Sequence, residues 1–312
     1  MADVDTDGTD ATDDSVAATD GSGASVAGEL STASDSSDGD GFVSILVAAT
    51  ARIRADPTLA LPFVLAGILA GASSVARIAS PYPTGVTPFP GRGYLVILVP
   101  FVPDLEPAIE IGPSILPGMK APFLLGLVGW QVTITAITVL AFAVVLRGFS
   151  PGTTEATPPL ESTGAIPPLR RVGRLLGLVL VVQAATFGMT FVAGVWGDGT
   201  LGIVSLAMLV TVPLSIGLLL APAYIVLEGT GAKAGVLESI HRVLERPIST
   251  VTLVVGLGYL GYALTGFATL VPSTPVGVFV GTVTSVAVVG TIHAAVVATA
   301  YRRWSEPPAT SS

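Results

Sequence analysis

The sequence predicts an all-α membrane protein with six transmembrane helices and amphipathic interfacial helices on the cytoplasmic side. Three observations predict this fold class: six long apolar stretches, the absence of Asp, Glu, Lys and Arg from them, and an uneven distribution of basic residues between alternate connections. The composition agrees, because 51% of the residues are hydrophobic and 12% are charged. Ordinary soluble domains contain about 25% charged residues.

Each apolar stretch is long enough to cross a bilayer, whose hydrocarbon core of about 30 Å needs about 20 helical residues. Only a helix or a closed barrel satisfies its own backbone hydrogen bonds there. The six predicted spans are Leu59 to Ala76, Ala121 to Leu146, Leu175 to Trp196, Leu201 to Leu227, Ile248 to Val271 and Val276 to Tyr301.

The chain divides by composition into three parts. Residues 1–40 hold 11 of the 22 acidic residues and no Lys or Arg, and they lack the apolar residues needed for a core. We predict a disordered acidic tail at 1–40, a six-helix transmembrane domain at 41–304 with an outer loop at 77–120, and a short cytoplasmic tail at 305–312. The outer loop is either a partly ordered cap or a flexible segment. The acidic, Lys-poor composition resembles that of halophilic archaeal proteins.

Basic residues near the span ends predict the orientation. Eleven lie in one set of connections, and only Arg77, Arg92 and Lys120 lie in the other. Because basic residues favour the cytoplasmic side, we predict a cell-membrane protein with both termini in the cytoplasm. The eleven are Arg52, Arg54, Arg147, Arg170, Arg171, Arg174, Lys233, Arg242, Arg246, Arg302 and Arg303.

Two segments on the predicted cytoplasmic side have the apolar spacing of amphipathic helices, Gly41 to Asp56 and Ala232 to Arg246. Near the end of each lies an Arg that is followed five residues later by a Pro: Arg52 by Pro57, and Arg242 by Pro247. Proline ends a preceding helix and is tolerated in the first turn of the next, so each Pro predicts a corner between a surface helix and a span. Coincidence is the alternative to a repeat. The predicted membrane-facing residues of the second helix are Val236, Leu237, Ile240, Val243 and Leu244.

Three short motifs resemble known sites but lack their context. Gly256 to Gly261 matches a dinucleotide fingerprint, yet it lies within an apolar span, so close helix packing is the better interpretation. Gly229 to Gly235 lacks the Gly-Lys-Ser/Thr ending of a phosphate loop. Glu238 and His241 have metal-ligand spacing, but without the further Glu residues of a di-iron site they favour a solvated polar face.

Polar residues and prolines within the spans allow two interpretations each. Gln131, Gln183 and His293 favour interhelical hydrogen bonds over an ion pathway. Pro213 and Pro222 in the fourth span each remove a backbone hydrogen bond, which favours a packing kink over the broken helix of a transport site.

The stretch from Ala223 to Arg242 combines a span ending in Glu228, a Gly-containing turn, and a surface helix with a central Ser239 and basic residues. This order resembles uncharacterised archaeal multi-pass membrane families and, more remotely, the membrane domain attached to some glycerophosphodiester phosphodiesterases. The similarity covers Leu201 to Val271. It implies a membrane fold only, because nothing here resembles the phosphodiesterase catalytic domain.

The spans contain no paired carboxylates, no Ser/His/acid arrangement and no metal-ligand cluster, and the chain has no Cys. We therefore expect no catalytic, cofactor-binding or metal-binding residues, and no enzymatic activity. The function most consistent with the sequence is a noncatalytic scaffold or accessory subunit. The alternative is a permease or export component with a pathway near the kinked fourth helix. The expected partners are the lipid bilayer and another membrane protein, without nucleic acid.

Overall fold

The computed structural model describes residues 41–81, 85–86, 101–103, 109–110, 116, 118–149, 167–196, 209–210, 212–265 and 271–305. The predicted acidic tail at 1–40 lies outside these residues, as does all of the predicted short tail except Ser305.

The described chain is almost entirely helical. Eight helices follow one another: α1 (Phe42–Ala55), α2 (Leu61–Ile78), α3 (Ala121–Gly148), α4 (Leu169–Trp196), α5 (Val212–Glu228), α6 (Ala232–Glu245), α7 (Pro247–Thr265) and α8 (Thr274–Ser305). A short 3-10 helix, Pro57–Ala60, precedes α2, and the last turn of α5, Tyr224–Glu228, is a π-helix.

Four helical segments are long and apolar enough to cross a membrane: Pro57–Ile78, Ala121–Gly148, Leu169–Met189 and Thr274–Ser305. The pair formed by α6 and α7 is bent by 108° and raises the number to five if it counts as one span. Described residues therefore give four or five apolar helices where the sequence predicts six spans. The predicted fourth and fifth spans are only partly described.

The bend between α6 and α7 lies at the predicted corner. Helix α6 ends at Glu245 and α7 begins at Pro247, which has no backbone N–H to donate to the preceding helix. At the other predicted corner, Asp56 caps the 3-10 helix that leads into α2, since its carboxylate accepts from the Thr58 backbone N–H at 3.2 Å. Both segments predicted as amphipathic helices are helical.

Helices α2 and α8 form the closest pair and run antiparallel. A methyl group at Gly67 would lie 3.1 Å from the backbone oxygen of Val283, and one at Gly290 would overlap the ring of Phe63. Such contacts require small residues, which let helices approach in a bilayer where apolar burial alone gives little driving force. Gly67 and Gly71 thus permit the close approach of α2 to α8.

Helix α1 packs on α7 and α8. Its Phe42 ring lies 3.2 Å from the position a Cβ would take at Gly256, and Arg303 Nη1 donates to Ser44 Oγ at 2.7 Å. Because Gly256 lies inside helix α7 and faces an aromatic ring, the fingerprint-like glycines serve helix packing, as predicted.

The described parts of the predicted outer loop include one short strand pair. Residues Gly85–Val86 (β1) pair antiparallel with Ile109–Glu110 (β2), and Gly85 is opposite Glu110. Phe101 and Val102, between the two strands in sequence, are buried. Helix α2 continues through Arg77 to Ile78, so Arg77 belongs to the helix and not to the loop.

Candidate functional site

Contacts between helix ends bring together the helix termini that carry the eleven basic residues of one predicted side, and we call this end of the bundle the basic end. It contains the C-terminal ends of α3, α5 and α8 and the N-terminal ends of α2 and α4. Three contacts join them: Gly148 with Leu59, Arg171 with Val226, and Tyr301 with Glu228. The connections that are rich in basic residues along the sequence therefore lie at one end of the bundle.

At the basic end, helix α5 is interrupted at Leu219 and Leu220, two residues before Pro222. The fully buried hydroxyl of Ser239, on α6, fills the interruption. It accepts a hydrogen bond from the Leu220 backbone N–H at 3.1 Å and donates one to the Gly217 carbonyl at 2.7 Å. A side chain inserted into the backbone ladder is a recognised cause of a helix kink.

The turn after α5 depends on glycine and arginine. Gly229 has φ of 79° and ends the helix in the left-handed conformation, which glycine adopts without steric cost. Arg171 Nη1 donates to the carbonyls of Val226 at 2.8 Å and Leu227 at 2.9 Å. Arg174 Nη1 donates to the carbonyl of Gly229 at 2.8 Å. Positive charges here also complement the negative end of the helix dipole.

The last residue of α5 connects this turn to α8. The Tyr301 hydroxyl donates to Glu228 Oε1, and the ring of Tyr301 meets that of Tyr224 edge to face with centroids 5.1 Å apart. One end of α5 is thus held by α4, α6 and α8 together.

Helix α6 presents three different faces. Gly235, Ser239 and Val243 are buried against the protein. Leu237 and Leu244 are 57% and 71% exposed, and Ile240 lies between them on the same apolar face. A third face carries exposed Glu238, His241 and Glu245, with His241 Nε2 and Glu245 Oε1 3.3 Å apart. Of the five residues predicted to face the membrane, Val243 instead packs inside, and Val236 packs against the core.

The opposite half of the bundle contains a second polar cluster. Arg77 is only 4% exposed, lies 5.1 Å from the ring centroid of Trp130, and reaches Gln131 Oε1 at 3.5 Å. One turn further along α3, Thr135 Oγ1 donates to Gln183 Oε1 at 3.0 Å. Both glutamines therefore make the predicted interhelical hydrogen bonds, and the apolar spans also enclose a buried arginine that the sequence places outside them.

His293 does not follow this pattern. Its buried Nε2 atom has no hydrogen-bond partner among the residues that the structure describes, and its ring packs edge to face on Phe142 with centroids 5.5 Å apart. The packing on Phe142 takes the place of the predicted interhelical hydrogen bond.

Within the described residues, no group of three His, Cys, Asp or Glu side chains could hold a metal ion. Glu238 and His241 lie on the exposed face of α6, which agrees with the solvated polar face predicted for them. The segment from Gly229 to Gly235 comprises the turn after α5 and the first residues of α6, and Arg174 donates to the carbonyls of Gly229 and Thr230 in that turn.

The sequence alone does not identify Arg171, Arg174 and Ser239 as residues that bind the backbone of α5 and of the turn after it. In the sequence Arg171 and Arg174 indicate only orientation, because hydrogen bonds between residues 55 positions apart have no local pattern. Ser239 does have a local signal: Gly235, Ser239 and Val243 recur every four residues and mark a small-residue face suited to close helix contact.

Neither a protein-family model, a curated protein nor a solved structure matches this chain. The resemblance to archaeal membrane families stays a prediction.

Proposed function

We propose that this protein is a noncatalytic multispanning membrane protein that acts as a scaffold or accessory subunit. In this proposal it crosses the cell membrane six times, both termini are cytoplasmic, and α1 and α6 lie in the inner interface. The basic end then faces the cytoplasm, in agreement with the preference of Arg and Lys for that side.

The observation that carries the proposal is that the protein's own side chains bind the backbone groups at the interruption of α5. Broken membrane helices serve transporters because their free backbone groups bind substrate or coupling ions. Here the Leu220 N–H and the Gly217 carbonyl bind Ser239, a carbonyl of the last turn binds Arg171, and the Gly229 carbonyl after it binds Arg174. Groups occupied by the protein's own side chains favour a rigid structural element over a substrate site.

The three faces of α6 support an in-plane position. A helix in the interface buries an apolar face in the acyl region and exposes a polar face to water. Leu237, Ile240 and Leu244 provide the first, and Glu238 with His241 provides the second. The third face, with Ser239, attaches the helix to the bundle.

Spin labels along α6 test this placement. We expect oxygen accessibility, which reports lipid, to peak at Leu237, Ile240 and Leu244, and accessibility to a water-soluble reagent to peak at Glu238 and His241. The label at Val243 should be protected from both. Water accessibility at all three leucine and isoleucine positions would contradict an interfacial helix.

The second candidate function, a permease or export component, is favoured by the break in α5 and the π-helical turn that follows it. A disulfide distinguishes the two functions, because a pathway through this region requires α5 and α6 to move. A Cβ at Gly235 would lie 3.4 Å from the Cβ of Tyr224, close to disulfide geometry, and the chain has no native Cys.

The experiment compares the Tyr224→Cys/Gly235→Cys variant in its oxidised and reduced states in a strain deleted for the protein. A scaffold should restore the wild-type phenotype equally in both states. Loss of function only on oxidation, absent in the Gly235→Cys single variant, would favour the moving pathway and contradict the scaffold.

A further inference from the structure

Helix α4 is the least buried of the four long apolar segments that the structure describes. Of its most apolar part, 17% is buried, compared with 33% to 44% for the other three segments. Five of its residues alternate at spacings of three and four and are exposed or half-buried: Gly173, Leu176, Leu180, Gln183 and Phe187. This is the heptad spacing of the seam between two packed helices. We call these five residues the heptad face.

Gln183 is a polar residue in the middle of α4, and it is exposed. It lies about 20 Å from either end of the helix, at a rise of about 1.5 Å per residue. Its Oε1 atom accepts from Thr135 Oγ1 at 3.0 Å, but its amide nitrogen carries two hydrogens and donates to no residue that the structure describes. Lipid tails offer no acceptor, so an exposed amide at this depth requires a hydrogen-bonding partner.

We propose that two copies of this chain associate through the heptad face, with each Gln183 amide donating to the Gln183 Oε1 atom of the other copy. A carbonyl oxygen has two lone pairs, so Oε1 accepts from Thr135 and from the second copy together. Polar side chains that bond across helices hold such pairs together in membranes. The inference rests on the membrane location in the proposed function but not on the scaffold role.

The chemistry of the heptad face favours a second copy over a lipid or a different protein. A two-fold axis along the membrane normal places equivalent residues at equal depth, so the face must be complementary to itself. None of its five residues is charged, and the glutamine amide is both donor and acceptor. A lipid headgroup lies at the membrane surface and does not reach the middle of α4.

The first test measures association of the full chain in liposomes. Energy transfer between donor-labelled and acceptor-labelled Ser273→Cys copies, followed as the lipid-to-protein ratio changes, gives the association constant without interference from native Cys. We expect Gln183→Leu to lower this constant about tenfold, the equivalent of one interhelical hydrogen bond. Thr135→Val is the matched control, because it removes the bond within the chain and leaves the Gln183 amide in place. It should retain the wild-type constant.

The second test leaves Gln183 unchanged and therefore does not depend on the folding of its variants. Leu180→Cys, on the heptad face, should form a disulfide between two copies when a membrane-permeant oxidant is added. Val181→Cys should not, although Val181 is 67% exposed, because the next residue along a helix is turned away by about 100°.

Four results would overturn the proposal. A wild-type chain that shows no energy transfer at any lipid ratio is a monomer, and an unchanged constant in Gln183→Leu removes the role of the amide. An equal loss in Thr135→Val would mean that the glutamine acts only through the packing of α3 on α4. Equal cross-linking of Leu180→Cys and Val181→Cys would indicate random collision. None of these results bears on the spin-label test of α6, so the proposed function is tested separately.

Discussion

Replacement of Ser239 by alanine tests whether the hydroxyl on α6 stabilises the interruption of α5. The hydroxyl is the shared partner of a backbone donor, Leu220 N–H, and a backbone acceptor, the Gly217 carbonyl, and it is fully buried. Its removal leaves both groups buried without this partner. We expect Ser239→Ala to lower the free energy of unfolding although it removes a single oxygen atom and creates no steric clash.

The expected loss is about 2 kcal/mol. A buried polar group left unsatisfied costs about 1 to 3 kcal/mol, but side-chain hydrogen bonds measured within membrane proteins average about 0.6 kcal/mol with a maximum near 1.7. Two groups are affected here, and one is an N–H, for which a second partner is harder to find than for a carbonyl. The sum therefore lies above the loss from an ordinary single hydroxyl.

Thr291→Ala provides the matched control. The Thr291 hydroxyl is also buried, but it donates at 2.6 Å to the Ala287 carbonyl within its own helix, so its loss should leave the backbone ladder of α8 intact. Reversible unfolding of both variants in mixed detergent micelles, followed by circular dichroism, gives the two free energies. Losses that agree within about 0.5 kcal/mol would refute the bridging role of Ser239.

Three further predictions concern the basic end and the orientation of the chain. Arg171→Gln should lower the free energy of unfolding by about 2 kcal/mol, measured in the same micelles, because two charge-assisted hydrogen bonds to carbonyls are lost. Gly229→Ala should destabilise the protein by about 1 to 2 kcal/mol through its positive φ, whereas Gly231→Ala, at the N-cap of α6 with φ of −67°, should cost less in thermal melts because alanine adopts that φ without strain. In intact cells, an impermeant thiol reagent should label Ser273→Cys and leave Ala234→Cys unlabelled; the reverse pattern would contradict the proposed orientation.

The positions of the helices follow closely from the sequence because apolar length is a strong signal. Every predicted span overlaps a described helix, and Pro247 marks the sharp turn between α6 and α7. The boundary at Arg77 could not be predicted from charge alone. A guanidinium that contacts Trp130 and Gln131 has its cost of burial reduced by contacts on another helix, and such contacts are not encoded next to it in the sequence.

The faces of α6 show the same limit for the candidate site. Helical spacing places Val243 on the apolar face of α6. This spacing does not determine whether lipid or protein contacts that face. Helix α5 decides which residues of α6 face the protein. Its interruption beside Pro222 leaves backbone groups that bind the hydroxyl of Ser239. Once this serine is bound, Val243, one turn further along the same face, packs inside, and of the five predicted residues Leu237, Ile240 and Leu244 stay exposed. The contacts between α5 and α6 thus decide which residues of α6 are buried, and this could not be derived from either segment alone.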